Sequence, residues 1–97
     1  MAEMQEFELF SSATNAVVAR YPGRNYPGVL IQGDTLRGLL SELQELQEEL
    51  EAGDLEAVQG IADVLEERFI EFLAHYENVL EENELELPYP GSVRKLK

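Results

Sequence analysis

The chain has 97 residues, 44% of them hydrophobic, and sets 20 Asp and Glu against 7 Lys and Arg for a formal net charge of −13. That length holds one domain with a modest core, and the charge opposes direct contact with the phosphates of DNA or RNA. The absence of cysteine excludes disulfides, thiolate metal sites and a cysteine nucleophile.

The opening residues, MAEMQEFELF, carry acids where a secretory leader carries bases, and no stretch reaches the length of a membrane span, so a cytoplasmic location with no membrane contact is expected. From Gln5 to Ser11, Phe7 and Leu9 alternate with Glu6 and Glu8 in the two-residue period of a half-buried strand, and Phe10 breaks the alternation as a strand end or bulge. Ser11 to Asn15 is small and polar, suited to a connection, and Ala16 to Tyr21 carries a second strand-like run in Val17, Val18 and Ala19. Val29, Leu30 and Ile31 make a third. Connections this short favour an antiparallel meander, because parallel neighbours need long crossovers.

Asp34 has the residue type and place of a helix N-cap, and Gly53 followed by Asp54 reads as a helix stop and the next start. In the first helical segment Leu36, Leu39, Leu43, Leu46 and Leu50 follow three-four spacing, widened by Leu40. In the second, Val58, Ala62, Leu65, Phe69, Phe72, Tyr76 and Val79 continue that rhythm, while Ile61, Val64, Ile70, Leu73 and Leu80 broaden the apolar surface beyond what one helical partner covers. After Glu84, Pro88 and Pro90 forbid further helix, leaving an arm that either adds an edge strand or lies extended on Leu85, Leu87 and Tyr89 with a loose basic end. The expected architecture is a single α+β domain. It comprises a β-meander over residues 5–32, a helical hairpin of 34–52 and 54–83, and an extended tail over 84–97. The broad apolar surface and the length of the second helix, about 43 Å at 1.5 Å per residue, predict a homo-oligomer, a dimer or dimer-based assembly.

The stretch YPGRNYPGVLIQGD raises the functional question. Tyr-Pro-Gly occurs at Tyr21, Tyr26 and Tyr89, using three of the four prolines and three of the four tyrosines. Pro-Gly pairs make tight turns, and Pro22-Gly23 and Pro27-Gly28 are read so here. Turn-making requires neither the arginines crowded around them, Arg20, Arg24 and Arg37, nor the flanking Tyr21 and Tyr26. As a binding surface, Arg24 would pair with a phosphate or carboxylate, Tyr21 or Tyr26 would stack on a flat ring, and Gly28 would let backbone approach the ligand. That set, Arg24, Tyr21, Tyr26, Arg20, Gly28 and Arg37, suits a small anionic nucleotide ligand. The alternative for the same residues is turn punctuation, with tyrosines sealing a core edge and Arg24 balancing nearby glutamates.

Catalytic chemistry finds little support. The single histidine, His75, has no serine or cysteine at a recognisable helical spacing, and is read as a helix-surface or interface residue. The Glu-x-x-His metal motif is absent, Phe72 standing three residues before it, and no Gly-Lys-Ser/Thr phosphate loop occurs. No catalytic residue, metal ligand or cofactor is expected. Between Gly38 and Glu86 sixteen acids face one base, Arg68, a surface that either solvates the helices or attracts a basic protein partner.

From Thr14-Asn15-Ala16-Val17-Val18 through Pro22-Gly23-Arg24, Tyr26-Pro27-Gly28 and Ile31-Gln32-Gly33-Asp34-Thr35-Leu36, roughly a third of the chain resembles an uncharacterised family of small bacterial and phage-associated proteins. Its pattern is Pro-Gly-Arg-x-Phe/Tyr-Pro-Gly, an apolar pair, and Gln-Gly-Asp-Ser/Thr-Leu opening a helix. The resemblance implies this strand-to-helix segment and no activity. The expected function is therefore non-enzymatic: a binding protein acting by sequestration, of the kind phages use against bacterial defences, that holds a nucleotide-like signal. The alternative is an acidic inhibitor or immunity-type protein that covers a basic protein surface as a nucleic-acid mimic.

Overall fold

The computed structural model describes residues 4–11 and 16–96. Three strands, β1 (Glu8–Ser11), β2 (Ala16–Arg20) and β3 (Gly28–Ile31), form an antiparallel sheet in the order β1-β2-β3. Two helices come next, α1 (Gly33–Ala52) and α2 (Leu55–Glu82), and a 3-10 turn, Val93–Leu96, closes the described chain. This is the expected α+β meander and hairpin. The first strand is shorter than residues 5–11, and its register shifts between Leu9 and Ser11, so Phe10 is the site of a bulge. Of the connection expected over residues 11–15, Ser11 belongs to β1 and residues 12–15 lie outside the described residues, as does Lys97.

Strand alternation sorts the sheet into two faces. Ala16 and Val18 are buried, and Val29, opposite Val18, packs with it against the core. Leu9, paired with Ala19, and Leu30, paired with Val17, lie exposed on the other face. The core is Val18 under Tyr76, Val79 and Leu80 of the last turns of α2, flanked by Phe10, Val29, Leu85, Leu87 and Tyr89. Leu80, outside the strict three-four seam, is nevertheless the apolar side chain of α2 with no exposure at all.

The helix ends show which local signals operate. Gly53 adopts φ 80°, with its N–H bonded to the Leu50 carbonyl and that of Asp54 to the Glu49 carbonyl, the paired closure of a Schellman stop. Asp54 then caps α2, its Oδ1 accepting the Ala57 N–H at 3.1 Å. Asp34 does not cap α1. The helix begins one residue before it with Gln32 in the cap position, and Asp34 Oδ1 accepts only from its neighbour Thr35 N, at 2.8 Å. The Gln32 carbonyl already receives the Leu36 N–H at 3.0 Å, so the first helical hydrogen bond closes two residues ahead of the expected cap. Asp54→Ala is accordingly expected to cost about 1 kcal/mol, and Asp34→Ala only a few tenths through the helix dipole. Equal losses in urea unfolding would contradict this assignment.

Helix α2 runs unbroken through Gly60. Arg68, the one Lys or Arg between Gly38 and Glu86, reaches Glu42 Oε1 at 2.7 Å and ties the two helices. The C-terminal arm takes the extended course and, among the described residues, adds no strand. Its end is anchored, with Ser92, Val93 and Arg94 all bonded to Glu77.

Candidate functional site

Between β2 and β3 the chain makes a loop from Tyr21 to Pro27. Its first half is a tight turn: the Arg24 N–H bonds to the Tyr21 carbonyl at 3.1 Å, with Pro22 and Gly23 as the central pair and Gly23 at φ 87°. Positive φ at the third position is what glycine after proline permits, and it marks a type II turn. The second Pro-Gly is not a turn. Gly28 has ordinary backbone, opens β3 and pairs with Ala19, while Pro27 is buried and its carbonyl accepts the Tyr76 hydroxyl at 2.7 Å. The anchored carbonyl turns the loop into the sheet at this point, so Gly28 extends the ladder instead of reversing the chain.

On the open side of the sheet this loop borders a concavity of about 610 Å³. Tyr21, Arg24, Tyr26 and Gly28 line it with Phe7 and Leu30. Phe7, expected within the first strand, lies just ahead of it and meets Tyr21 edge-on, ring centroids 5.1 Å apart at 82°. Both tyrosines of the loop are exposed and seal no core. Among the described residues Arg24 is the one arginine whose guanidinium has no side-chain partner: Arg20 holds Glu8, Arg37 holds Ser41, Arg68 holds Glu42 and Arg94 holds Glu81. Arg24 therefore does not balance the glutamates.

Two members of the expected set stand elsewhere. Arg20 shares the face of Val18, two residues before it, and there it pairs with Glu8 at 2.6 Å, lies 5.6 Å above the Phe10 ring and reaches the Asn25 carbonyl at 3.4 Å. Its hydrogen bond lowers the Glu8 carboxyl below the usual glutamate value. Arg20 thus supports the loop from behind. Arg37 lines a separate apolar groove with Gly33, Leu36, Leu40, Leu43 and Phe69. Its Nη1 donates to Ser41 Oγ at 2.8 Å.

Sequence reasoning missed Glu77, which has no solvent exposure. It accepts hydrogen bonds from Tyr89 Oη at 2.7 Å, Ser92 Oγ at 2.5 Å and the amides of Val93 and Arg94 at 3.0 and 3.3 Å, with Arg94 Nε 3.3 Å away. Burial raises its pKa, but the bonds from Ser92, Tyr89 and the two amides outweigh burial and hold the carboxyl at about 2. Burial, and then that carboxylate, push the Tyr89 phenol up. The signal in the sequence was an acid within an apolar stripe, Leu73 and Leu80 lying one helical turn to either side. This cluster fixes the arm to α2, so its role is structural.

His75 also departs from a surface position. It is half-buried, and its Nε2 lies 3.1 Å from Ser11 Oγ on β1. Neither residue lines the concavity at Arg24. No described helix is long and apolar enough to cross a membrane.

A family model matches residues 2–89. The chain belongs to a family of unknown function, DUF6959. The DUF6959 match extends well past the strand-to-helix third that carried the sequence resemblance, taking in both acidic helices and the first residues of the arm. No curated protein and no solved structure matches the chain.

Proposed function

We propose that this DUF6959 member is a small binding protein that sequesters an anionic ligand with a flat ring on the open face of its sheet. The observation that carries this reading is Arg24. In a chain of net charge −13, it is the arginine left without a side-chain partner among the described residues, and it lines a concavity walled by Phe7, Tyr21 and Tyr26. A guanidinium pairs with phosphate through two parallel N–H donors, and aromatic rings stack on a base. Gly28 adds backbone without a side chain in the way: a Cβ built there meets nothing within 4 Å.

A nucleotide fits this chemistry, with phosphate at Arg24 and base against the rings. On the sequence resemblance to small bacterial and phage-associated proteins, we further propose an anti-defence role, in which the protein holds a nucleotide-like signal and withdraws it from its receptor. Calorimetric titration with a panel of linear and cyclic nucleotides tests this directly. At least one nucleotide is expected to bind, and Arg24→Ala is expected to weaken it by roughly tenfold to a hundredfold, the worth of one hydrogen-bonded charge. Absence of binding at high micromolar ligand, or binding unaltered in Arg24→Ala, would remove the reading.

A further inference from the structure

The chain exposes more surface than a compact protein of its size. Scaling gives a folded monomer of 11.0 kDa an accessible area of about 5,600 Å², whereas this chain has 7340 Å². Its radius of gyration is 16.4 Å, against about 12.5 Å for a compact domain of this length. The excess of about 1,700 Å² is roughly twice the area each partner hides in a standard interface.

Part of this surface is a leucine seam. The leucines of α1 do not all face α2: Leu39 is buried and Leu46 half-buried, but Leu36, Leu40, Leu43 and Leu50 remain 60, 46, 43 and 54% exposed. With Gln47 they occupy positions 36, 40, 43, 47 and 50, the alternating four-three spacing of a coiled-coil seam, over about 21 Å of helix. The groove beside it, lined by Gly33, Leu36, Arg37, Leu40, Leu43 and Phe69 among others, contains no acid. Two copies that repel through their net charge can approach there.

The flank of the seam says which way the second copy runs. Arg37, Gln44 and Glu51 recur every seven residues along one side of it, reading positive, neutral, negative. Parallel copies would set Arg37, Gln44 and Glu51 beside the partner's Gln32, the partner's Leu39 and the partner's Leu46, with no opposite charge to meet them. Antiparallel copies centred near Leu43 set Arg37 beside the partner's Glu51 twice, Gln44 beside the partner's Gln44, Leu36 over the partner's Leu50, and Leu43 on itself.

We propose that two copies pair through α1, antiparallel about a two-fold axis near Leu43. Such an interface is self-complementary, closes at two copies, and takes its register from Gln47 and the two Arg37–Glu51 pairs. It leaves the concavity at Arg24 open and stands independently of the ligand reading, since neither Arg24 nor the tyrosines of the loop belong to it.

Light scattering and sedimentation equilibrium of the full chain are expected to give twice the 11.0 kDa chain mass. Arg37→Glu alone and Glu51→Arg alone each place two like pairs at the interface, and each is expected to raise the dimer dissociation constant about tenfold or more at low salt. The double variant Arg37→Glu/Glu51→Arg restores opposite pairs in the antiparallel arrangement only, and is expected to return to the wild-type value. Leu43→Glu, with two carboxylates on the axis, is expected to be monomeric with unchanged helical circular dichroism. Should that variant misfold, the exchanges at exposed Arg37 and Glu51 still carry the test. A monomeric wild type, single exchanges without effect, or a double exchange that fails to restore pairing would each overturn the proposal.

Discussion

Glu77→Gln is expected to lower stability by about 3 kcal/mol at neutral pH, the worth of holding a carboxyl at about 2 in place of the ordinary 4.5. The amide keeps the shape but loses the charge and one acceptor, leaving donors from Tyr89, Ser92 and Arg94 competing for a single oxygen. Removal of one member of a buried charged cluster typically costs about 3–5 kcal/mol. Here the arm can peel from α2 and return its donors to water, which keeps the loss near the lower figure. Peeling also uncovers Leu80 and Val79, which Leu85 and Leu87 help to cover. The first sign in the variant is therefore faster amide exchange and proteolysis over the arm, and the second is a lower urea midpoint.

The same carboxylate sets a pH dependence. Its pKa is lower in the folded chain than in the unfolded one, so its contribution is complete above about pH 4.5 and is lost as pH falls toward about 2. Other carboxylates titrate in that window, but the difference between wild type and Glu77→Gln isolates this one. That difference is expected to be full at pH 6 and to shrink steadily toward pH 2. A difference that stays constant across the window would show that Glu77 contributes shape and not charge.

Leu80→Ala has the other large expected effect, about 2–5 kcal/mol, because the removed methyl groups leave a cavity that rigid neighbours fill poorly. Leu80 has no exposure and sits where three elements meet: β2 through Val18, the body of α2 through Tyr76 and Val79, and the arm through Leu85. None of these can move inward alone, since Tyr76 is bonded to the Pro27 carbonyl and the Leu85 N–H to the Leu80 carbonyl at 2.9 Å. A loss of about 3 kcal/mol lowers the midpoint of thermal unfolding by roughly 12–24 °C in a domain of this size. Differential scanning calorimetry measures it, and a cost below about 1 kcal/mol would mean that the site collapses freely. Leu80 lies three residues from Glu77 on one helix face, so the double variant is expected to be less destabilised than the two losses added. Once the arm has left, part of the Leu80 environment has left with it.

The order and type of elements were legible because they depend on local signals. Gly53-Asp54 breaks the leucine rhythm, glycine reaches the left-handed conformation without strain, and aspartate caps the second helix. Asp34 has the same chemistry in a comparable place and does not cap, because the backbone at Gln32 had already begun the turn. Competition between neighbouring starts is settled by which carbonyl captures an amide first, and residue type does not record that. Of the residues that loop proximity joins, Tyr21, Arg24, Tyr26 and Gly28 line one concavity. Arg20 and Arg37 stand apart from it, and periodicity held the reason: a two-residue period puts Arg20 with Val18, and Arg37 is carried off by α1. Glu77 was obscured by composition. It is one of sixteen acids in that region, and its donors lie 12 to 17 residues further along the chain.

The placement of the tyrosines has a practical consequence. The chain has no tryptophan, so its near-ultraviolet absorption and intrinsic emission belong chiefly to four tyrosines, and these divide two and two. Tyr21 and Tyr26 face solvent across the concavity, whereas Tyr76 and Tyr89 donate hydrogen bonds to a carbonyl and a carboxylate in the interior. Occupancy of the concavity by the proposed ligand and release of the arm would thus fall on different chromophores of the unlabelled protein. Phenylalanine replacements at one pair make the molecule an optical reporter of the other.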